Sequence, residues 1–294
     1  MSLETVDQCP VCNGRIFKPF LVCKDQTTTG ETFHVEQCTF CGFVLTNPRP
    51  FHETSPAYYQ SAQYISHTGK ATGLFDYIYL LIRKFTVKWK YNLVKPHLEK
   101  RSLLDLGSGT GTFLQFCQTR KVEVHGVEPS REAREVANSR HIPMFESLDA
   151  LPDIRYSVIT LWHVLEHIYD LEGTLASLKS RLNDNGIIFI AVPNWQSYDA
   201  NYYKEYWAGY DVPRHVWHFS KTTMTQLAER NGLKVKEIIP MKLDAYYVSL
   251  LSAKYAAKKF SFFTVIRALW VGYCSNRKAG NNMNYSSLIY LLQK

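Results

Sequence analysis

The chain has 294 residues and a mass of 34.0 kDa, which is enough for one large hydrophobic core and a smaller domain. Hydrophobic residues make up 46% of it, which excludes a disordered chain, and no apolar run is long enough to span a bilayer. The net charge of +8 suits acidic partners, but Lys and Arg form no block or stripe that predicts nucleic-acid binding. No signal-peptide pattern is evident and the seven cysteines are an odd number, which predicts reduced thiols and a cytoplasmic protein.

Two Cys-x-x-Cys pairs lie near the start of the chain: Cys9 with Cys12, and Cys38 with Cys41. Each pair places two thiolates on one tight turn, and two such turns complete a tetrahedral Zn²⁺ site. The segment between the pairs is rich in Thr and alternating apolar residues, which predicts a β-hairpin. A domain this small needs such a cross-link to fold. We therefore predict a zinc-ribbon-like domain over residues 1–50 that holds one structural Zn²⁺.

Pro48 and Pro50 mark a boundary in the chain. The segment after it, residues 51–98, is predicted to be mostly helical. Its longer helix is expected over residues 74–94. An aromatic cluster precedes this helix and consists of Tyr58, Tyr59, Tyr64 and His67. Aromatic side chains of this kind are usually part of a core. The alternative is that they cover a bound cation, to which aromatic rings are attracted.

A strand, a glycine turn and a helix follow in that order, and the rest of the chain is organised around them. Residues 101–106 form a short apolar strand, and residues 112–117 begin a helix. The turn between them reads Asp105-Leu106-Gly107-Ser108-Gly109-Thr110-Gly111. Glycines let the backbone pass close to a ligand, and this order of elements builds cofactor sites in open α/β sheets. The carboxylate of Asp105 beside the turn suits a cationic ligand better than a pyrophosphate.

A second strand, over residues 122–128, ends in Glu128, and a helix opens after it with Pro129 and Ser130. An acid at this point can accept both ribose hydroxyls of an adenosine. Further strands are predicted over residues 142–145, 157–161 and 186–192.

Asp105 to Gly111 and Glu128 resemble the motifs of the class I S-adenosylmethionine-dependent methyltransferases (types 11, 12 and 23). The resemblance continues through residues 157–167 and 186–194 and covers roughly residues 100–240. It implies an α/β fold for residues 99–294: a Rossmann-like, seven-stranded sheet with helices on both faces, preceded by a lid over residues 51–98. The implied donor-site residues are Asp105, Gly107, Ser108, Gly109, Gly111, Glu128, Pro129, Ser147, Leu148, Leu161 and Trp162.

Within this implied site, Ser147 stands where the family has an acid that contacts the adenine. Its hydroxyl could still accept a hydrogen bond from the adenine amino group. Leu161 and Trp162 follow the fourth strand and are expected to flank the adenine or the methionine portion of the donor.

His163, Glu166 and His167 are candidates for the chemistry, because positions i, i+3 and i+4 of a helix share one face. Two imidazoles and a carboxylate on one face can bind a divalent metal or relay a proton. They can also simply orient the helix by hydrogen bonds. The pattern resembles the Glu-x-x-Glu-His helix of metal-assisted RNA-end and quinone O-methyltransferases, with His163 at the first acidic position.

The loop over residues 211–220 is polar and aromatic, and it follows the fifth strand. It is expected to stand over the carboxyl end of the sheet, where open α/β sheets bind ligands. We predict that His215 acts as a base and Arg214 as an anion anchor, whereas Trp217 and Phe219 belong to the core.

A helical insertion is predicted at about 246–280, between the last two strands, the final strand lying over residues 286–292. The insertion is apolar but interrupted by Lys and Arg. A basic amphipathic insertion can form a lid, a dimer surface or a membrane-surface contact. The sequence leaves these alternatives and the oligomeric state open.

The function predicted from these features is methyl transfer from S-adenosylmethionine to a small or lipid-linked acceptor, with a sugar or sugar nucleotide favoured. The segment over residues 38–50 supports the sugar class, because it is similar to the zinc segment of bacterial sugar and polysaccharide-locus methyltransferases. The catalytic residues are predicted to be His167, His215 and Glu166, with His167 preferred as the base. The alternatives are an RNA or quinone-type O-methyltransferase and a non-catalytic donor-binding protein, although basic residues are sparse around the cysteine pairs.

Overall fold

A computed structural model of the protein describes residues 2–59, 85–257 and 261–294. The predicted lid residues Tyr64 and His67, and the first part of the helix predicted over residues 74–94, lie outside these ranges. The second part of that helix forms as expected: residues 85–94 are helical (α1) and are followed by a 3₁₀ turn at Lys95–His97.

The N-terminal segment folds as a small antiparallel sheet structure. Its strands are β1 (Leu3–Glu4), β2 (Phe17–Lys24), β3 (Thr32–Cys38), β4 (Val44–Thr46) and β5 (Arg49–Pro50). Strands β2 and β3 form the predicted hairpin between the cysteine pairs. Strand β4 pairs with β3 and also with β11 (Trp217–His218), which gives the order β11-β4-β3-β2 among the described residues. The N-terminal segment and the loop that carries His215 therefore share one sheet.

The main sheet has the seven strands expected of a Rossmann-like methyltransferase fold, all of them within the described ranges. The remaining strands are β6 (Ser102–Leu106), β7 (Glu123–Val127), β8 (Met144–Phe145), β9 (Tyr156–Trp162), β10 (Leu182–Pro193), β12 (Lys234–Pro240) and β13 (Ser287–Gln293). Their order is β12-β13-β10-β9-β6-β7-β8. Strand β13 runs antiparallel to both of its neighbours, whereas β10, β9, β6, β7 and β8 are mutually parallel.

Helices flank this sheet, and two of them form the predicted insertion. They are α2 (Thr112–Gln118), α3 (Arg131–Asn138), α4 (Leu171–Ser180), α5 (Tyr198–Tyr203), α6 (Lys221–Arg230), α7 (Asp244–Ala256) and α8 (Phe262–Ala279). Helices α7 and α8 lie between β12 and β13 in the chain, at the position of the predicted insertion.

Both faces of the main sheet are buried. Leu104 and Ile188 belong to one hydrophobic cluster, whereas their chain neighbours Leu103 and Phe189 belong to another, and all four are 0% exposed. Because successive side chains of a strand point to opposite faces, each face has its own layer of packing. This explains why these strands are continuous apolar runs in the sequence.

Candidate donor and catalytic site

The carboxyl ends of the parallel strands meet at one edge of the sheet. Strand β6 ends at Leu106, β7 at Val127, β9 at Trp162 and β10 at Pro193. The glycine turn, Glu128 and the turn that begins at His163 follow directly from these ends. In open α/β sheets, ligands bind at this edge.

The three glycines of the turn differ in the space that a side chain would have at each position. Gly107, Gly109 and Gly111 all have positive φ angles, of 70°, 52° and 70°. A Cβ at Gly107 would collide with Val164, and one at Gly111 would lie 2.8 Å from Ile142 Cδ1. A Cβ at Gly109 would meet no described atom within 4 Å. Packing therefore requires Gly107 and Gly111, whereas Gly109 borders a space that no described residue fills and in which a ligand could lie.

Asp105 lies buried at the end of β6, and Thr160 donates a hydrogen bond of 2.6 Å to its carboxylate. Burial raises the pKa of Asp105 to about 7, although the Thr160 hydrogen bond and the nearby Lys90 favour the charged form. A carboxyl group that titrates near neutrality becomes fully charged when a cation approaches. The structure is thus consistent with the predicted preference of this turn for a cationic ligand.

Lys90 of α1 is a site residue that no sequence pattern singled out. Its ammonium lies 4.5 Å from the ring centroid of Trp162, over the ring. Burial lowers the pKa of Lys90 to about 8, while Asp105 and Asp244 act in the opposite direction. Trp162 is half-buried and packs edge-on against Phe113. The ring of Trp162 is therefore fixed by an aromatic neighbour, Phe113, and a cationic one, Lys90.

Glu128 holds the glycine turn in place. Its carboxylate accepts hydrogen bonds from the backbone N–H groups of Gly109 at 2.9 Å and Ser130 at 3.0 Å. Ser108 donates to the carbonyl of Val127 at 3.3 Å. The expected contact of Glu128 with ribose hydroxyls remains a prediction, and in it the carboxylate would serve both the turn and the ligand.

The other predicted donor contacts differ in accessibility. Pro129 and Ser147 are exposed, and Leu148 is half-buried beyond the end of β8. Leu161 is 0% exposed and lies in the same cluster as Leu104. The side chain of Leu161 is therefore part of the sheet core and is not presented to the donor side.

The helix that was predicted to carry His163, Glu166 and His167 does not form. His163 has a φ of 59°, and Leu165–His167 is a single 3₁₀ turn. A left-handed residue directly after β9 redirects the chain, so a regular helix cannot start at His163. The prediction that the two imidazoles share one helical face is wrong.

His163 is instead paired with two carboxylates. Its Nδ1 lies 3.4 Å from Glu166 Oε1, and its Nε2 lies 3.0 Å from Asp244 Oδ2 at the start of α7. Burial disfavours a charged imidazole, but the hydrogen-bonded carboxylate of Asp244 and the nearby carboxylate of Glu166 outweigh burial and raise the pKa of His163 to about 10. His163 is therefore an imidazolium at neutral pH, which can neither accept a proton nor ligate a metal.

His167 and His215 lie together, with ring centroids 4.6 Å apart and an angle of 78° between the rings. The Nδ1 of His167 lies 3.0 Å from the carbonyl oxygen of Arg214 and 3.0 Å from the hydroxyl of Tyr59. The Nδ1 of His215 lies 2.9 Å from the carbonyl oxygen of Gly209. Because a carbonyl oxygen can only accept, Nδ1 carries a hydrogen in both rings, and the second ring nitrogen, Nε2, is the one that can hold a lone pair.

Glu166 lies next to both histidines and is 0% exposed. Burial and the neighbouring His215 lower the pKa of His167 to about 4, so this ring is neutral at neutral pH. The pKa of Glu166 is lowered despite burial, because His163, His215 and His167 surround its carboxylate. Ligand atoms of Glu166, His167 and His215 all lie within 4.8 Å of one another, so this group could relay a proton or hold a metal ion.

Arg214 does not have the predicted role of an anion anchor. Its five N–H donors bond to Asp211 and Asp25, to the hydroxyl of Thr28 and to the carbonyl of Tyr58. Its side chain is 1% exposed. Because every donor direction is used inside the protein, Arg214 fixes the loop and cannot also hold a substrate anion.

The four cysteines of the N-terminal segment come together as predicted. The Sγ atoms of Cys9 and Cys41 are 3.6 Å apart, those of Cys12 and Cys38 are 3.5 Å apart, and all four lie within 4.8 Å of one another. Sulfurs bound at ~2.3 Å to a tetrahedral Zn²⁺ are ~3.8 Å apart, which these distances approach. The N–H of Gly14 points to the sulfur of Cys12 at 3.4 Å. The donor set therefore fits a structural zinc ion.

The chain matches a methyltransferase-domain family (Methyltransf_23) over residues 76–238, which is more than half of its length. It is therefore a member of this family, and with its sheet topology and glycine turn it falls in the class I S-adenosylmethionine-dependent methyltransferases. It is also 28% identical over 111 residues to an uncharacterized protein of Haemophilus influenzae. That match covers 33% of this chain and spans 43% of the length of the relative.

Two solved structures are similar to this fold. One is a methyltransferase of Thermotoga maritima described as a possible histamine N-methyltransferase, at 15% identity and a TM-score of 0.50, covering 74% of this chain and 93% of that chain. Another is an S-adenosylmethionine-dependent methyltransferase of Archaeoglobus fulgidus, at 20% identity and a TM-score of 0.49, covering 74% of this chain and 100% of that chain. At such identities the Thermotoga structure supports the fold alone.

Proposed function

We propose that this protein transfers a methyl group from S-adenosylmethionine to a small or lipid-linked acceptor, with a sugar or sugar nucleotide favoured. The observation that supports the proposal is that a possible donor site and a possible base lie close together at the carboxyl edge of the main sheet. The open side of Gly109 and the half-charged Asp105 lie at the end of β6, and the neutral His167 lies just after the neighbouring β9. In a chain of the methyltransferase family, these are the parts needed to bind a cationic donor and to deprotonate an acceptor.

The donor site rests on charge and shape. The donor carries a sulfonium and an ammonium group, and the carboxyl of Asp105, whose pKa is near 7, becomes more fully charged beside a cation. The lack of a side chain at Gly109 allows close approach of the donor to the backbone.

The reaction is an in-line displacement at the donor's methyl carbon. The acceptor atom forms a bond to that carbon, the carbon–sulfur bond breaks, and its electron pair stays on sulfur in S-adenosylhomocysteine. An acceptor hydroxyl must lose its proton in this process. The Nε2 lone pair of His167 or His215 is the proposed proton acceptor, and the carboxylate of Glu166 would stabilise the imidazolium that results. Alignment of acceptor and donor supplies much of the remaining rate.

The N-terminal segment is proposed to be a structural zinc domain that shapes the acceptor entrance. Zinc held by Cys9, Cys12, Cys38 and Cys41 would fix the base of the β2–β3 hairpin. The loop at the other end of this hairpin carries Asp25, which pairs with Arg214 next to His215. The ion would thus act through the fold and take no part in methyl transfer.

A second candidate function is metal-assisted methyl transfer, which the grouping of Glu166, His167 and His215 favours. A divalent ion held there would supply positive charge to an acceptor oxygen. Metal-assisted transfer and general-base catalysis by a histidine predict different responses to a chelator. If EDTA abolishes activity and Mg²⁺ alone restores it, metal-assisted transfer replaces general-base catalysis by a histidine as the mechanism. Such a result could not come from the cysteine site, because Mg²⁺ cannot replace zinc there.

Calorimetry with S-adenosylhomocysteine tests the donor site. Wild-type protein should bind it, and Gly109→Arg should not, because the new side chain would fill the open space beside the turn. Gly30→Arg is the matched control, since Gly30 also has a positive φ of 74° but lies in the N-terminal hairpin. If neither wild type nor the control binds the compound, the donor assignment is wrong. A transfer assay with radiolabelled donor against sugar nucleotides, quinones and RNA then identifies the acceptor class.

A further inference from the structure

Helix α8 carries a stripe of large apolar side chains on its outer face. Its members are Phe262, Phe263, Ile266, Leu269, Trp270 and Tyr273. All of them are exposed, with values from 43% for Leu269 and Tyr273 to 80% for Phe263. Spacings of three, four, seven and eight residues place them on one side of the helix. Exposed patches of this kind mark interaction sites.

The opposite face of α8 already has its packing partners within the protein. Its buried residues are small: Thr264, Ala268, Val271, Gly272 and Ser275. A Cβ at Gly272 would lie 2.9 Å from a ring atom of Tyr246 on α7, which shows how closely the two helices approach. The aromatic stripe is therefore not needed to hold α8 on the domain.

The C-terminal stretch of the sequence that contains this helix is basic. Residues 245–294 contain no Asp or Glu, although the whole chain has 26 of them. The same stretch contains seven basic residues, namely Lys254, Lys258, Lys259, Arg267, Arg277, Lys278 and Lys294. The first 244 residues are consequently almost neutral, and most of the net charge of +8 comes from the last 50. Arg267, Arg277 and Lys278 are exposed on α8 itself.

We propose that the outer face of α8 binds an anionic membrane surface. Aromatic rings lie readily at the boundary between headgroups and acyl chains, and flanking Arg and Lys residues pair with lipid phosphates. Helix α8 carries Arg267, Arg277 and Lys278 and no Asp or Glu, so pairing of this helix with its copy would bring like charges together, which favours an anionic lipid over self-association. In the described part of the chain, no helix is long and apolar enough to cross a membrane, so α8 would lie in the plane of the surface.

The proposal is independent of the methyl-transfer proposal, and it is tested by binding alone. Wild-type protein is sedimented with vesicles of phosphatidylcholine, with and without 30% phosphatidylglycerol. We expect strong partitioning only onto the anionic vesicles, with loss of binding in 0.5 M salt. The emission of Trp270, which is 63% exposed, should shift to shorter wavelength on binding, and Trp270→Phe should remove most of that shift.

Two variants separate the apolar and the charged contributions. The double variant Phe262→Ser/Phe263→Ser should weaken partitioning by about 100-fold or more, since two exposed aromatic side chains no longer insert. Arg267→Glu should weaken it by roughly tenfold or more. Ile16→Ser is the matched control, because Ile16 is 59% exposed in the N-terminal segment and should leave partitioning unchanged. Circular dichroism checks that each variant is folded.

Three results would overturn the proposal. The first is a wild-type protein that ignores anionic vesicles. The second is equal partitioning of wild type and both α8 variants. The third is a wild-type dimer that ignores vesicles and becomes monomeric in the double variant, which would assign the stripe to a second copy of the chain.

Discussion

The guanidinium of Arg214 lies 3.0 Å from the carboxylate of Asp25, across 189 positions of the chain. Asp25 lies in the β2–β3 loop, where its carboxylate also accepts the backbone N–H groups of Thr27, Thr28 and Thr29. Asp211 provides the second carboxylate for Arg214, at 2.6 Å. The N-terminal segment is thereby fixed to the loop that carries His215.

Arg214→Met should destabilise the protein by about 3–5 kcal/mol, because it leaves the buried carboxylate of Asp25 and the partly exposed one of Asp211 without their partner. Arg131→Met is the control: Arg131 pairs with Glu135 on the surface, its side chain is 82% exposed, and its loss should cost about 1 kcal/mol or less. Urea unfolding followed by circular dichroism measures both. Equal midpoints for the two variants would contradict a supporting role for the buried pair.

Acid should weaken the contribution of Asp25 to stability. Burial alone would raise its pKa, but the N–H of Thr29 and the charge of Arg214 lower it to about 2. The folded pKa thus lies below the unfolded value of ~3.9, so this stabilisation is complete above pH ~4 and is lost as the pH falls towards 2. Unfolding midpoints from pH 5 to 2 should fall less steeply in Asp25→Asn. Parallel curves for wild type and variant would count against this assignment.

His167→Ala or His215→Ala should reduce turnover by ~10²–10⁴-fold while the affinity for S-adenosylhomocysteine stays nearly constant. We expect the larger effect for His167, which follows β9 directly. His141→Ala is the control, since His141 is exposed at the far end of α3. Radiolabel transfer to the identified acceptor and calorimetry give the two readouts. Wild-type turnover in both site variants would exclude these histidines as the base.

Alkaline pH should weaken the link between His163 and Asp244. The folded pKa of His163, about 10, lies above the unfolded value of ~6.5. The pair therefore stabilises the protein fully below pH ~6.5, and this stabilisation is lost as the pH rises through about 10. Thermal unfolding between pH 6 and 10.5 should show a smaller decline in Asp244→Asn than in wild type. Asp184→Asn, at a side chain 91% exposed, should follow wild type, and a similar decline in all three proteins would exclude the pair as the cause.

Purified protein should contain about one zinc per chain, as a four-thiolate site requires. Cys12→Ser should lose this zinc and lower the unfolding temperature. Cys274→Ser should keep the zinc, because Cys274 lies on α8, far along the chain from the cluster. Atomic absorption of gel-filtered protein gives the stoichiometry. Metal-free wild-type protein with all thiols titratable after mild purification would refute the zinc site.

The strands, the glycine turn and the cysteine cluster could be predicted from the sequence, because each depends on the residue types within a short segment. Largely apolar runs bounded by turn residues marked β6, β7, β9 and β10 to within a few residues, because strands buried on both faces need mostly apolar side chains. Glycines at positive φ marked the turn after β6, since other residues rarely adopt that backbone. The spacing of the cysteine pairs likewise predicted a cluster, as two turns can present four sulfurs to one ion.

The partners of the site residues depend on contacts between distant segments, and no local pattern encodes them. Arg214 meets Asp25 only because β4 pairs with β11, which brings the N-terminal hairpin to the loop after β10. The left-handed backbone of His163 turns its ring towards Asp244 of the insertion and leaves His167 beside His215. A helical periodicity would have grouped His163 with His167. The packing of β9, α7 and the 211–220 loop instead decided that His163 is charged and His167 is neutral, because burial and neighbouring charges set these two pKa values.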